Sequence, residues 1–338
     1  MSTILVTGGA GFIGSHLVEQ LLDGGAAVRV VDNLSTGSLR NLQNAAGRVR
    51  AQADAPRDGA HDGRLEVVIG DIRDRDLVRK AARNVNTIFH LAALPGAALG
   101  RVSPAELQTV NVQGTLNVLE GAVAEGVSRL VFASSASVYG TPESLPVSET
   151  SPLRPESLFA ASKLAAEMYC RTYSSLHPLE VAVLRYFTVY GPRQGSATDG
   201  ALIPELIEAL LERRTALPHN DATAEDLTYV DDAVEATRAA AEASKAAGQT
   251  INIGSGRMSS VLEILHLLYY LLKITPPASS APAPVARPAH VQADIALVAD
   301  LLGCTPRISL AMGLARVVRA IAEPERIGGR HLAGVRGA

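Results

Sequence analysis

Residues 4–17 read Ile-Leu-Val-Thr-Gly-Gly-Ala-Gly-Phe-Ile-Gly-Ser-His-Leu. The apolar run Ile4–Val6 reads as a buried strand, and Phe12–Leu22 as a helix with Ile13, Leu17 and Leu21 on one stripe. Between them, glycines stand at 8, 11 and 14, a spacing that permits a tight turn, close approach of backbone to a pyrophosphate, and close helix packing. The first turn of the helix, with Phe12 and Ile13, offers N–H donors and the positive end of its dipole to an anion. The next apolar run, Ala27–Val31, ends in Asp32, whose carboxylate can accept hydrogen bonds from the adenosine ribose hydroxyls of a dinucleotide. An acid there would repel a 2′-phosphate, so the pattern predicts NAD rather than NADP.

Working outward, short apolar runs keep alternating with helical patterns. Strands are expected at Val67–Ile69, Thr87–Leu91, Leu130–Ser134 and Val181–Leu184. This alternation predicts an α/β fold, a Rossmann-type doubly wound parallel sheet. Asp71 and Ile72 follow the third run, and His90-Leu91-Ala92-Ala93 follows the fourth, both at the carboxyl ends where such sheets bind ligands. Taken alone, Asp71 reads first as a helix N-cap. Beyond Tyr190 the alternation weakens and helices are expected over Leu202–Glu212, Asp231–Ala247 and Met258–Leu272. The expected division is a cofactor domain over residues 1–190 and a smaller, mostly helical substrate part over 191–338, with residues 228–253 passing between the two. Gln52–Gly63 reads as a polar surface insertion and Pro276–Pro288 as a loop rich in Pro, Ala and Ser.

Composition narrows the function classes. With 338 residues the chain can bury a large core, and a hydrophobic content of 47% against 19% charged residues describes a globular protein. A net charge of −3 with both signs interspersed offers no basic face for nucleic acid or a membrane surface. Cys170 and Cys304 lack metal-ligand spacing, so no metal is expected and a reducing cytoplasm is. No basic leader precedes the first strand, and Val261–Ile274 is too short to span a bilayer and is interrupted by Glu263, His266 and Lys273.

A longer series of motifs is present in order: TGGAGFIGSHL (7–17), DNLSTG (32–37), GDIRD (70–74), HLAA (90–93), Asn111, SSASVYG (134–140), ASKLAAE (161–167), RYFTVYGPRQ (185–194), TYVDDAVEA (228–236) and NIGSG (252–256). The series resembles the nucleotide-sugar epimerases of the extended short-chain dehydrogenase/reductase family. Thr188 and the run HLAALPG (90–96) look most like the UDP-glucuronate 4-epimerases, since UDP-galactose 4-epimerases usually carry Asn at position 188. The resemblance implies tight binding of NAD by Gly8, Gly11, Phe12, Ile13, Gly14, Asp32, Asn33, Ser35 and Gly37, with Asp71 and Ile72 near adenine. It places Leu91, Ala92, Ala93, Asn111, Ser134 and Tyr186 around the cofactor and Lys163 on the nicotinamide ribose. It assigns Ser135 to the reacting sugar hydroxyl, and Ser137, Thr188, Arg193 and Arg287 to a UDP-sugar. It further implies a homodimer through two helices per subunit, and transient oxidation of the sugar 4-hydroxyl followed by return of hydride to the opposite face.

Three departures stand against that pattern. The family's Tyr-x-x-x-Lys appears here as Phe159-Ala-Ala-Ser-Lys163, which keeps the one-turn spacing but removes the phenol that would take the hydroxyl proton. Ser135 alone is a poor base, and Tyr139 and Tyr190 are the substitutes to weigh against simple packing roles at strand ends. Glu225 stands where relatives direct an Arg at the diphosphate, and Gly195–Asp199 replaces the Arg-Pro-Asp-Met of the glucuronate type. Arg287 can serve the diphosphate or simply lie in solvent. Ala136 and Ser137 occupy the places of the Asp-Glu pair of the sugar dehydratases, and the decarboxylases keep a Glu at the second, which disfavours both chemistries. Three readings remain: a nucleotide-sugar 4-epimerase with altered or lost turnover, another redox or lyase reaction on a nucleotide sugar, and an NAD-holding binder or regulator.

Overall fold

The computed structural model describes residues 3–43, 64–95, 102–195, 201–212, 224–276 and 291–322. In chain order the elements are β1 (Thr3–Thr7), α1 (Phe12–Asp23), β2 (Ala27–Asp32), β3 (Leu65–Ile69), α2 (Arg75–Ala81), β4 (Val85–His90), α3 (Pro104–Leu107), α4 (Gly114–Ala124), β5 (Arg129–Ser135), α5 (Leu158–Leu176) and β6 (Glu180–Tyr186). There follow β7 (Thr188–Tyr190), α6 (Leu202–Leu211), β8 (Ala224–Tyr229), α7 (Val230–Glu242), β9 (Thr250–Ile253), β10 (Met258–Ser260), α8 (Val261–Leu272), α9 (Ala296–Leu302) and α10 (Leu310–Ala322).

Seven strands form one parallel sheet in the order β3-β2-β1-β4-β5-β6-β9. Its central strands are buried along almost their whole length, as expected when helices cover both faces. One face packs residues of α1 and α7, including Leu17, Val18, Leu21, Ala233 and Val234, and the other packs Val78, Val118, Leu119, Ala166 and Cys170 of α2, α4 and α5. Strand order reverses between β1 and β4, so a crevice opens above their carboxyl ends. The predicted doubly wound sheet is therefore the observed one, and each predicted strand is present.

The later half carries more strand than its hydrophobic pattern suggests. β7, β8 and β10 make a second sheet in the order β10-β8-β7, with β8 parallel to β7 and antiparallel to β10. The helix expected from Met258 starts three residues later, because Met258–Ser260 pairs with β8 and the Ser260 hydroxyl caps α8 by accepting from the Glu263 N–H at 3.1 Å. The helix expected over Asp231–Ala247 ends at Glu242, where Ala243 turns extended and presents its carbonyl to Arg129 Nη2 at 3.1 Å. The Gln52–Gly63 insertion lies outside the described residues, as does all of the Pro-rich loop except Pro276.

Candidate active site

Helix α1 has no side-chain cap and no acid in its first turn, which leaves its positive end open. The turn before it needs glycine. Gly8 has φ +73°, and a Cβ on it would sit 2.7 Å from the Ala92 nitrogen at the end of β4. A Cβ on Gly14 would meet the Gly8 carbonyl oxygen at 2.1 Å, so the helix can approach the turn this closely only without one. Leu91 N donates to the Thr7 carbonyl at 3.1 Å, which seats Leu91, Ala92 and Ala93 beside the glycine turn, on the other side of the strand reversal.

Asp32, at the carboxyl end of β2, accepts from Ala10 N at 2.9 Å and Leu34 N at 2.8 Å, so its carboxylate fastens the glycine turn. Burial raises its pKa, and those two backbone donors oppose the rise. Asn33 donates to Asp71 at 2.9 Å and accepts from Ser35 N at 3.1 Å, while Ser38 N donates to Ala10 O at 2.9 Å and lays the Ser35–Gly37 segment against the turn. Asp71 is not the helix cap. That role belongs to Asp74, which accepts from Leu77 N at 3.0 Å, whereas Asp71 holds the Arg73 guanidinium at 2.9 and 2.8 Å. The Arg73 hydrogen bonds hold the Asp71 carboxyl down at about 2. Ile72 is buried beside it.

Beneath the crevice, His90 lies between Thr7 Oγ1 (2.7 Å) and Thr115 Oγ1 (2.9 Å). Thr115 donates its own proton to the Asn111 carbonyl at 2.6 Å, so His90 Nε2 donates to Thr115 and Nδ1 accepts from Thr7. Burial, helped by the Lys163 cation, pushes this imidazole down to about 3, so it stays neutral. Asn111 sits in a π-helical turn over Gln108–Gln113, a widened geometry often found at functional sites. Its amide accepts from Leu94 N at 2.8 Å and donates to Leu94 O at 3.1 Å and Ser162 Oγ at 2.9 Å.

The three positions expected to be catalytic, Ser135, Phe159 and Lys163, lie where β5 ends beside α5. The Ser135 hydroxyl accepts from Ser137 N at 3.2 Å and from Ser137 Oγ at 2.9 Å, and among the described residues no imidazole or carboxylate hydrogen-bonds it. Phe159 is half-buried one turn before Lys163, and Ser162 Oγ donates to the Phe159 carbonyl at 2.7 Å. Lys163 is 4% exposed, and its Nζ lies 4.4 Å from the centre of the Phe132 ring. No hydrogen bond within the described residues reaches that ammonium, and burial pushes its pKa down to about 8.

Neither substitute tyrosine fills the gap. The Tyr139 hydroxyl donates to Asn252 Oδ1 at 2.6 Å and accepts from Arg185 at 3.0 Å, and burial raises its pKa. Tyr190 is buried, points at the Leu310 carbonyl at 3.4 Å, and has its pKa raised in the same way. Both are packing groups.

Hydrophobic patterning conceals a polar network behind these residues. Arg185 and Glu167, both with fully buried side chains, form a two-pronged pair at 3.0 and 2.8 Å. Ser134 donates to Glu167 at 2.5 Å, so its hydroxyl braces α5, and the Tyr186 hydroxyl likewise bonds Thr237 at 2.6 Å in the core. Asp226 on β8 is a second concealed carboxylate. It collects Ser255 N and Oγ at 2.6 Å and Gly256 N and Ala293 N at 3.0 Å, drawing the NIGSG loop onto the small sheet. Thr188 opens β7 opposite Leu227, and Glu225 pairs with Ser259 across β10. Arg193 reaches Glu19 Oε2 at 2.5 Å on α1, and Arg287 lies outside the described residues.

A model of the NAD dependent epimerase/dehydratase family matches residues 4–254. The chain belongs to that family. UDP-glucose 4-epimerase of Mycolicibacterium smegmatis is 35% identical over 318 residues, 93% of this chain and 96% of that protein. The crystal structure of the Thermotoga maritima UDP-glucose 4-epimerase with UDP-glucose superposes with a TM-score of 0.83 at 29% identity, covering 95% of this chain and 99% of that one. A tyrosine-to-phenylalanine mutant of the Bacillus cereus UDP-glucuronic acid 4-epimerase, in complex with a 4-deoxy-4-fluoro UDP-sugar and NAD, gives 0.83 at 30% identity, with 95% and 99% covered. The glycine cradle, the seated Asp32 and the open start of α1 fit NAD, the cofactor of this family.

Proposed function

We propose that this family member holds NAD at the glycine turn and a UDP-sugar, UDP-glucuronate or a close relative, between the main sheet and the small one, and that its 4-epimerase turnover is reduced or lost. The observation that carries this reading is Phe159, one turn ahead of the buried Lys163 and without a nearby replacement base among the described residues. NAD would supply the hydride acceptor for the sugar C4–H. Lys163 would hold the cofactor ribose, Asp32 the adenosine ribose, and Ser135, whose own proton is uncommitted in its bonds with Ser137, would donate to the sugar oxygen. Thr188 and Ser137 would contact the sugar, and Arg287 is proposed for the diphosphate. On this reading residues 1–190 serve the cofactor and 191–338 the nucleotide sugar, with 228–253 crossing back. The exposed Leu158, Met168, Tyr169 and Leu176 on α5 suit burial in a homodimer, and the free thiols Cys170 and Cys304 suit a cytoplasmic setting.

A non-catalytic NAD-holding role is the second reading, and the hydrocarbon ring at position 159 favours it. Calorimetry of NAD-loaded protein with UDP-glucuronate, UDP-glucose and UDP tests the ligand assignment. Heat with at least one of them is expected. None with all three would remove the UDP-sugar from the account.

A further inference from the structure

Residues 191–194 leave β7, which carries Thr188, and immediately lie against α1. Arg193 adopts φ +69°, a left-handed conformation that a non-glycine residue keeps only when its surroundings hold it there. Its guanidinium is held by Glu19 Oε2 at 2.5 Å, Ser15 Oγ at 3.1 Å and the Asn41 carbonyl at 3.1 Å. Pro192 adds its carbonyl to His16 Nε2 at 3.0 Å, and Gly191 lies between α7 and α1, where a Cβ would clash with Val230 Cγ1 at 2.5 Å and stand in ordinary contact with the Phe12 ring at 3.4 Å. Phe12, Ser15, His16 and Glu19 fall on one face of α1, the helix whose start faces the cofactor crevice. Asn41 joins the same unit, since its side chain donates to Ala10 O at 2.9 Å in the glycine turn. At the other end, Gln194 Nε2 returns to the Val189 carbonyl at 3.1 Å, inside β7.

We propose that Arg193 is a positioning residue, tying β7 to the glycine turn and α1 so that filling the cofactor site steadies the strand that meets the nucleotide sugar. It acts through α1 and Asn41 instead of through a direct substrate contact. The substrate half of this statement rests on the proposed UDP-sugar site; the tie itself does not. Coupling of this kind is reciprocal, so an occupied sugar site would also tighten the hold on cofactor.

Two measurements on the full chain test it, with Arg193→Met, Arg193→Lys and the unmodified protein. Amide exchange over residues 188–194, with and without NAD, reads the tie directly. Calorimetry with UDP on NAD-loaded protein reads its consequence. In the unmodified protein NAD should slow exchange in 188–194, and Arg193→Met should abolish that slowing while NAD affinity changes less than the UDP affinity. The loss of UDP affinity should be about fivefold or more, the lower range of measured couplings, and Arg193→Lys should recover part of it. Equal slowing by NAD with and without Arg193 would overturn the proposal. So would an Arg193→Met protein that loses NAD and UDP affinity equally without partial recovery in Arg193→Lys, since that pattern marks a purely structural role. If the unmodified protein binds no UDP but shows the Arg193-dependent slowing, the tie stands and the UDP-sugar reading falls.

Discussion

The cofactor turn after β1 and the end of β5 stand on one sheet, with β4 between them, but are finished differently. Around the turn, Asp32 takes two backbone N–H groups and Asp71 takes Arg73 and Asn33. At the end of β5, Lys163 rests on a phenyl face with no hydrogen bond within the described residues, and Phe159 presents hydrocarbon where the Tyr-x-x-x-Lys pattern would place a phenol. The support behind that second region is nevertheless intact, with Glu167, Arg185, Ser134 and Tyr139 fully engaged. On the proposed reading, holding a dinucleotide and moving a proton are separable properties of this scaffold. On that reading the first resides in backbone geometry after β1, and the second in one side chain on α5.

The largest effect expected is on the scaffold behind the altered site. Arg185→Met would leave Glu167 charged, buried and short of its guanidinium, and breaking such a pair typically costs about 3–5 kcal/mol. Urea unfolding measures it; a loss below about 1 kcal/mol would mean that the network is not what holds α5 to β6.

On the cofactor side, Gly14→Ala forces a methyl to within 2.1 Å of the Gly8 carbonyl. The turn must shift, weakening NAD by about 1–3 kcal/mol, the scale of forced overpacking. Unchanged NAD affinity would show that the turn has slack, and the contrast between the two regions would blur. Asp32→Ala is expected to be milder, costing NAD about 1–2 kcal/mol and narrowing the preference over NADP. Titration of both cofactors decides this, and an unmodified chain that binds NADP as tightly as NAD would contradict the role given to Asp32.

The smallest effect at neutral pH comes from the imidazoles beside the turn. Burial, with help from Arg193, pushes His16 down to about 4, and His90 lies at about 3, both below the ordinary 6.5. Between pH 6.5 and those values the unfolded chain binds more protons than the folded one, so stability must fall as the pH falls through that window and is fully present above it. A His16→Gln variant should show a shallower loss between pH 6 and 4, by up to about 1.4 kcal/mol per pH unit for one proton. Identical pH profiles would remove His16 from the acid response.

How much of this was legible in the sequence follows from what each position is asked to do. Gly8, Gly14 and Asp32 are readable because a backbone that must pass within contact distance of another leaves little choice of residue. Phe159 is readable as a departure because its spacing to Lys163 is kept while its chemistry is gone. Glu167, Arg185, Asn252 and Asp226 are hidden, because periodicity treats polar residues as surface and these four are buried through mutual or backbone hydrogen bonds. β8 is missed for the same reason, its buried Asp226 and Thr228 breaking the apolar pattern. The start of α8 carried a usable signal, Ser260 three residues before Glu263, and Asp74 similarly outranks Asp71 as a cap once the helix is counted from Arg75.

The separation of binding from proton transfer is tested most directly by turnover of UDP-glucuronate in NAD-loaded Phe159→Tyr against the unmodified chain. General acid–base groups contribute about 10²–10⁴-fold, and Phe159→Tyr adds one oxygen to a ring already accommodated. The account predicts little or no epimerisation by the unmodified chain and at least about a tenfold rise in Phe159→Tyr, with NAD affinity unchanged. Robust epimerisation by the unmodified chain, or no gain in Phe159→Tyr with substrate demonstrably bound, would contradict it.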